Sequence, residues 1–527
     1  MLQHNISLIM NKYFNLLIVF AGFFVVALMH TDGYANDEAR PNFLVIYVDD
    51  MDLKDIAVYG GRVLTPHLDA LAARGARFER YYATSPVCSP SRYSLFTGRY
   101  ASRNKYLEGV TAADDVNFIQ WNVHLEGNER TLAHVLSDAG YVTALVGKHH
   151  NSANQKHQIR VPDTADPNDP DVIKKMQRNH DFLTRMIADD AGFDEVINVY
   201  ANNFHVLDIP KVMHQHNPEW IVSGALDFLR RHQANPFFMT VALTIPHGPD
   251  NIKSMLSDPR ITPRGYLNSA PLVQAPRQSV FKRVKDAGLS RRLANITWLD
   301  DSVGAILQEL EDLGIREETM LVFASDHSDF GKMTAYEAGI RTACIVSWPK
   351  KIPEGRVIDA LSSNLDWAPT FLAAAGIEAP NGYIIDGEDL LPLLKGEVAS
   401  VRDNLFIEIT YTRGVVNKDW KYIATRFPKS LQPVITADNR HEFNQEGERM
   451  TQDPYAGAVQ ARYGVNKKYP GYYDEDQLYF LPNDPMEQKN LVLDESTRAV
   501  MVELQATLRA HQADKPHIFG EFGGGVR

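Results

Sequence analysis

Four apolar, β-rich runs in this chain each end in side chains of the kinds that hold cations, grip anions or move protons. Residues 43–48 run into Asp49-Asp50, 141–146 into Lys148-His149-His150, 237–245 into His247, and 320–324 into Asp326-His327. Taken singly, each is an ordinary surface or core residue. Four strands releasing acids, lysine and imidazoles together describe a ligand crevice, because open α/β sheets place it beyond the carboxyl ends of their strands.

The segments between those runs supply the elements that would hold them. Thr65-Pro66 caps and starts a helix with Leu68, Leu71 and Ala72 on one face. Thr131 opens a second helix closed by Gly140, and Asn217-Pro218 opens a third with Ile221, Ala225 and Leu229 inward. Ile296, Leu299, Val303, Ile306 and Leu310 fall at helical spacing, and the pattern predicts that theirs is the longest helix. Helices alternating with buried strands predict an α/β fold with a large, mainly parallel sheet flanked by helices.

Bulk properties narrow the classes. A chain of 527 residues, 44% hydrophobic, exceeds one ordinary core and is far from a disordered composition. A net charge of -12 argues against nucleic acid, whose binders need a basic face, but not against a small anionic substrate met by local positive charge. Lys12, an apolar run over 16–29, and Gly33-Tyr34-Ala35 read as a signal peptide over residues 1–35, cut before Asn36. The run is short for a bilayer span, so no stable membrane insertion is expected and the mature chain is placed in the periplasm or outside the cell.

The chain has two cysteines. Export makes a disulfide thinkable, yet Cys344 sits in an apolar strand-like run and Cys88 in a polar turn, so two free cysteines are the preferred reading.

Around Cys88 the order Cys88-Ser89-Pro90-Ser91-Arg92, then Thr97-Gly98, resembles the signature of the type I, formylglycine-dependent sulfatases, members of the alkaline phosphatase-like superfamily. The strand blocks above resemble family blocks in family order, followed by Lys332, Tyr336-Glu337-Ala338-Gly339-Ile340-Arg341, Leu365-Asp366-Trp367-Ala368-Pro369-Thr370 and Asp386-Gly387. Asp419-Trp420-Lys421-Tyr422 and Asp484-Pro485 resemble the family's C-terminal part. The resemblance spans most of 40–495 and implies a catalytic domain over 36–400 and a smaller C-terminal domain over 401–527, built on an antiparallel sheet.

The resemblance also implies the chemistry. A dedicated maturation enzyme would convert Cys88 to Cα-formylglycine, whose hydrate attacks sulfur and then expels sulfate. One Ca²⁺ would be held by Asp49, Asp50, Asp326, His327 and the modified Cys88. Histidine at 327, where many relatives carry asparagine, leaves room for Mg²⁺ or Mn²⁺. Arg92 and Lys148 would hold the hydrate, and His150 would serve the hydroxyl that loses its proton. His247 and Lys332 would grip sulfate and protonate the departing alcohol, with His149 a further substrate contact. Cys88 is expected in the first turn of a helix, where the dipole favours negative charge.

Export and the aromatic and basic residues of two polar stretches point to a sulfated polysaccharide or oligosaccharide as substrate. Those stretches are 104–129, with Tyr106, Trp121 and His124, and 437–476, with Phe443, Tyr455, Tyr463, Tyr469, Tyr472, Tyr473, Arg440, Arg449, Arg462, Lys467 and Lys468. For 437–476 a plain surface excursion is an equal reading. Two alternatives stay open: a formylglycine-dependent phosphonate or phosphodiester hydrolase, and a non-catalytic sugar-binding relative.

Overall fold

The computed structural model describes residues 40–112, 114–152, 158–450 and 465–521, and all that follows concerns these. Pro41–Arg527 is one compact unit. Residues 1–35, expected from sequence to be a signal peptide, and Tyr455, Arg462 and Tyr463 lie outside the described residues.

The central sheet contains β1 (Asn42–Asp49), β2 (Ala76–Phe78), β3 (Val142–Lys148), β4 (Glu195–Tyr200), β5 (Phe237–Pro246), β6 (Thr319–Ser325), β7 (Cys344–Ser347) and β8 (Arg356–Ile358). Their spatial order is β8-β2-β7-β6-β1-β5-β3-β4. All neighbours are parallel except β7, which runs antiparallel to both β2 and β6. The middle strands are buried along their whole length because both faces are covered, hence their continuous apolar runs.

One face carries α1 (Pro66–Ala73), α5 (Pro218–His232) and α6 (Ala294–Asp312), whose apolar sides join Leu44, Ile46 and Val48 of β1 in one core. The other carries α2 (Cys88–Thr97), α3 (Leu132–Asp138) and α4 (Pro170–Ala191) against Phe43, Val45 and Tyr47. Alternation of side chains along one strand thus feeds two cores. The Asn217 side chain accepts from Trp220 N, and that of Thr131 from His134 N, as N-caps.

The longest described helix is α4, with 22 residues, not the 19-residue α6 that hydrophobic spacing singled out. Helix α4 shows only a narrow apolar stripe, Val172, Met176, Leu183 and Ile187, so it stands out less in sequence than the more buried α6.

A second, antiparallel sheet follows: β9 (Leu405–Ile409), β10 (Thr412–Val416), β11 (Trp420–Thr425) and β12 (Asp476–Phe480), with α7 (Arg498–Gln512) against it. Isolated bridges tie Ile119 to Thr410 and Val116 to Ile518, so this sheet also supports the segment leading to Trp121. Among the described residues no helix is long and apolar enough to cross a membrane.

Candidate active site

The carboxyl ends of β1, β3, β5 and β6 meet the amino end of α2 at one edge of the large sheet. Strand β1 delivers Asp49, and Asp50 follows at φ 64°. His150, just past β3, lies at φ 70°. Non-glycine residues in this left-handed region cost about 1–3 kcal/mol each and persist only where the surroundings hold them. Here the Asp50 amide donates to Asp326 Oδ1 at 3.1 Å, and the His150 amide to the Ala201 carbonyl at 3.1 Å.

The charges interlock. Arg92, fully buried on α2, places its guanidinium between Asp49 (Nη2 to Oδ1 3.3 Å) and Asp326 (Nη2 to Oδ2 3.1 Å). Lys148 Nζ donates to Asp49 Oδ2 and, at 2.8 Å, to Asn203 Oδ1. Lys332 Nζ lies 2.7 Å from both Asp50 oxygens. Burial alone would raise these acids. The Lys148 ammonium, with His247 and Arg92, instead holds Asp49 well below the usual carboxylate range, and Lys332, His247 and His327 hold Asp50 down. Asp326 goes the other way: burial, with the Asp49 charge beside it, pushes it up to about 6.

Cys88 opens α2 and points into this cluster. Its Sγ lies 3.2 Å from His327 Nε2, and 3.9 Å from both Asp50 Oδ1 and Lys332 Nζ. Burial pushes the thiol well above its usual range, against the pull of Lys332. It is therefore protonated at neutral pH and no nucleophile as it stands. Cys88 and Cys344 are both free. Helix α2 is pinned by Ser91, whose Oγ donates to the Asp326 carbonyl at 2.5 Å, and by Asn364, which donates to Ser91 O at 2.8 Å.

Above Cys88 opens a cavity of about 890 Å³ lined by Asp50, Cys88, His150, His247 and Lys332 of the expected set. His247 Nδ1 donates to the Gly248 carbonyl at 2.6 Å, which leaves Nε2 to face Asp50 Oδ2 at 3.6 Å. Burial lowers His150 and His247 as bases. His150 Nδ1 is buried and has no hydrogen-bond partner among the described residues.

Arg92, Lys148, Asp49, Asp326 and His327 stand behind the cavity wall and do not line it. His149 does not line it either. Its ring stacks on Phe96, centroids 5.7 Å apart, and its Nδ1 pairs with Ser152 Oγ at 2.8 Å.

The remaining wall comes from two segments. Trp121, Asn122 and His124 form one side, as residues 104–129 suggested. Asn202, Asn203, Phe204, His205 and His214 form another, which sequence reasoning missed. The signal was available: they follow β4, a fifth strand ending at the same edge. No described residue of 437–476 lines the cavity; Tyr469 and Tyr472 are buried in a core beside the second sheet, and Phe443 packs on Phe427 and Ile435.

Asp49, Asp50 and Asp326 bring one carboxylate oxygen each within 4.8 Å of one another, and His327 with Cys88 and Asp326 forms an overlapping group. Three carboxylates are a donor set for a hard divalent cation, and the convergence of Lys332 and His327 on Asp50 marks the spot as one that draws positive charge. The residues fit a metal.

A family model described as Sulfatase matches residues 41–377. N-acetylgalactosamine-6-sulfatase of Canis lupus familiaris is 31% identical over 401 residues, 69% of this chain and 68% of its own. Arylsulfatase A of Bos taurus is 29% identical over 439 residues, 76% of this chain and 77% of its own. The fold is shared with the PsFucS1 sulfatase from Pseudoalteromonas sp. (TM-score 0.56, 20% identity, 93% of each chain). It is also shared with a protein solved in complex with its substrate D-glucosamine-2-N,6-O-disulfate (TM-score 0.58, 20% identity, 90% of this chain and 99% of that one). A cation-drawing sheet edge beside a buried cysteine is thus matched by a family assignment over most of the large sheet: the chain belongs to the sulfatase family and hydrolyses sulfuric esters.

Proposed function

We propose that the chain desulfates a sulfated polysaccharide or oligosaccharide in the periplasm or outside the cell, with Cys88 matured to Cα-formylglycine and one divalent metal, Ca²⁺ first, held by Asp49, Asp50, Asp326, His327 and residue 88. The carrying observation is the position of Cys88. It starts a helix, faces Asp50, His327 and Lys332, and lines a cavity together with Asp50 and Lys332. When present, the formylglycine hydrate and the metal together supply a hydroxyl nucleophile, a second hydroxyl through which sulfate can leave, and a Lewis acid for sulfate oxygens.

The other residues do the positioning and proton work. Arg92 and Lys148 hold Asp49 and Asp326 in place from behind and set a positive potential under residue 88. The unpartnered Nδ1 of His150 is the base for the hydroxyl that releases sulfate. His247 presents Nε2 to the cavity because Nδ1 is committed to Gly248. A bound sulfate raises the tendency of that imidazole to hold a proton, offsetting its burial, and so readies it as an acid. Lys332, already an ammonium donor, grips sulfate beside it. Protonating the departing alkoxide is worth about 10²–10⁴-fold in rate, roughly 3–5 kcal/mol of barrier. His149, packed on Phe96, supports the wall rather than touching substrate.

Two named relatives act on sulfated sugars: an N-acetylgalactosamine-6-sulfatase, and the protein bound to a glucosamine disulfate. They support the carbohydrate reading, as does the cavity's aromatic and amide lining. We read 36–400 as the catalytic domain and 401–527 as the smaller one, with residues 1–35 removed on export. The imidazole of His327 among the metal ligands keeps phosphonate or phosphodiester hydrolysis as a second reading.

The deciding experiment uses protein made together with a formylglycine-generating enzyme. Peptide mass spectrometry with an aldehyde-reactive probe should find an aldehyde or its hydrate at position 88. kcat/KM is then compared across sulfated oligosaccharides, aryl sulfates and phosphonate monoesters. Sulfated sugars should lead. Phosphonates or aryl sulfates ahead of every sugar by orders of magnitude would refute the carbohydrate reading.

A further inference from the structure

One wall of the cavity that Cys88 lines is built around Trp121. Its indole packs on Val87, Met333 and Ile409. Val87 precedes Cys88 and Met333 follows Lys332, so the ring lies against the chain neighbours of both residues at the reacting end. The indole N–H donates to Glu446 Oε1 at 2.8 Å, and Glu446 is buried, its own amide donating to Asn444 Oδ1 at 2.9 Å. The backbone behind the ring is fixed by the reciprocal pair Ile119–Thr410, at 3.1 and 3.0 Å.

This arrangement leaves the ring half-buried with its polar hydrogen satisfied on the protein side, so what it offers the cavity is apolar π surface. The carboxylate on the indole N–H makes that surface more electron-rich, which suits the weakly positive C–H face of a pyranose and repels a second anionic group. Asn122 and His124 flank it, with Asn202 among the other lining residues, and the two amides supply donors and acceptors for hydroxyls.

We propose that Trp121 is the specificity-determining platform for the pyranose ring that itself carries the sulfate, and that Glu446 is its positioning residue. The inference rests on the carbohydrate-sulfate reading above. It adds that the sulfated ring is recognised through its C–H face.

The test uses the full matured chain, the sulfated pyranoside it turns over best, and inorganic sulfate as competitive inhibitor. Trp121→Ala should lower kcat/KM by about 10–100-fold, mainly through KM, while the inhibition constant of sulfate stays within about twofold. Trp121→Phe and Glu446→Gln should each lose about threefold to tenfold, again in KM. A Trp121→Ala enzyme within threefold of the parent on every sulfated pyranoside would overturn the proposal. So would a sulfate inhibition constant that weakens in parallel, since that marks general damage to the site. Should Trp121→Ala not fold, unchanged kcat/KM in both milder variants overturns it. If the parent enzyme itself turns over no sulfated sugar but does cleave aryl or phosphonate esters, the carbohydrate reading has failed first, a result visible before any variant is made.

Discussion

Two of the buried charge clusters in this molecule behave differently. At the sheet edge, Asp49, Asp50 and Asp326 meet Arg92, Lys148 and Lys332. Beneath the second sheet, Lys421 of β11 is fully buried with its Nζ 2.7 Å from Glu337 Oε1, 2.8 Å from Glu487 Oε1 and 3.3 Å from the Ala335 carbonyl. Glu487 Oε2 accepts the Glu337 amide at 2.7 Å, and Tyr82 OH donates to Glu337 Oε2 at 3.1 Å.

The second cluster is closed: tyrosines 336, 469 and 479 surround it, and none of its members lines the active-site cavity. The first is open on one side, with Asp50, Lys332 and Cys88 facing the cavity and His150 Nδ1 without a partner. Buried charge alone therefore does not mark a reaction centre. What marks it is bonding capacity left unspent towards a cavity.

The largest effect expected from this contrast is at the open cluster. Asp326→Ala should remove bound metal and reduce turnover by at least about 10³-fold, since it takes a carboxylate from the metal set and a partner from Arg92. The protein should stay folded, because Arg92 keeps Asp49. Elemental analysis together with far-UV circular dichroism checks both halves. Full metal occupancy in the variant would reject the ligand assignment.

A matched pair of lysines sharpens the comparison. Lys332→Ala should cost about 10²–10⁴-fold in kcat with little change in stability, since Asp50 faces the cavity and keeps the imidazoles of His327 and His247 at 3.1 and 3.6 Å. Lys421→Ala should do the reverse: it strands two buried glutamates, costs roughly 3–5 kcal/mol of stability, and leaves kcat of the folded fraction within about tenfold. Denaturant titration beside steady-state kinetics separates them. If Lys421→Ala proved neutral in stability and Lys332→Ala destabilising, the distinction between closed and open clusters would not hold.

How much of this was readable in sequence depends on locality. A parallel strand buried on both faces is a contiguous apolar run, so its polar terminus is obvious; Asp49, Lys148, His247 and Asp326 were found that way. Strand β4 is an edge strand, mostly half-buried, with the mixed sequence Glu195-Val196-Ile197-Asn198-Val199-Tyr200. It gave no such run, and Asn202 and Asn203 beyond it went unnoticed. Asp169-Pro170 and Gly192 did bracket α4 as a cap and a stop, signals that would have recovered both elements. Among the described residues of 437–476 the aromatic rings do not face the cavity; composition does not say which way a ring faces. Tyr469 stacks on Tyr336 at 3.8 Å between centroids, inside a core.

The smallest effect concerns acid. Two buried histidines flank the open cluster without belonging to it. Burial, with Arg92 nearby, pushes His149 down to about 3, and burial, with His247 nearby, does the same to His216. In the unfolded chain both return to about 6.5. Because the folded value is the lower one, the unfolded state takes up protons first as pH falls. Their neutral burial is therefore no penalty above pH 6.5, and stability is lost progressively from there down towards pH 3. Each histidine contributes a slope approaching about 1.4 kcal/mol per pH unit in the lower part of that window. Asp49, held low, adds loss of the same sign only further down, as pH drops through its depressed range. Carboxyls that burial raises, Asp326 to about 6 and Asp52, Asp300 and Glu487 to about 7, act with the opposite sign over the same range, so the readout is the difference between parent and variant. In unfolding free energies by denaturant at pH 7, 6 and 5, His149→Leu, which keeps an apolar contact on Phe96, should gain stability relative to the parent as pH falls, by the share of one proton. A variant whose pH dependence matches the parent's would show that His149 is not held neutral by its burial.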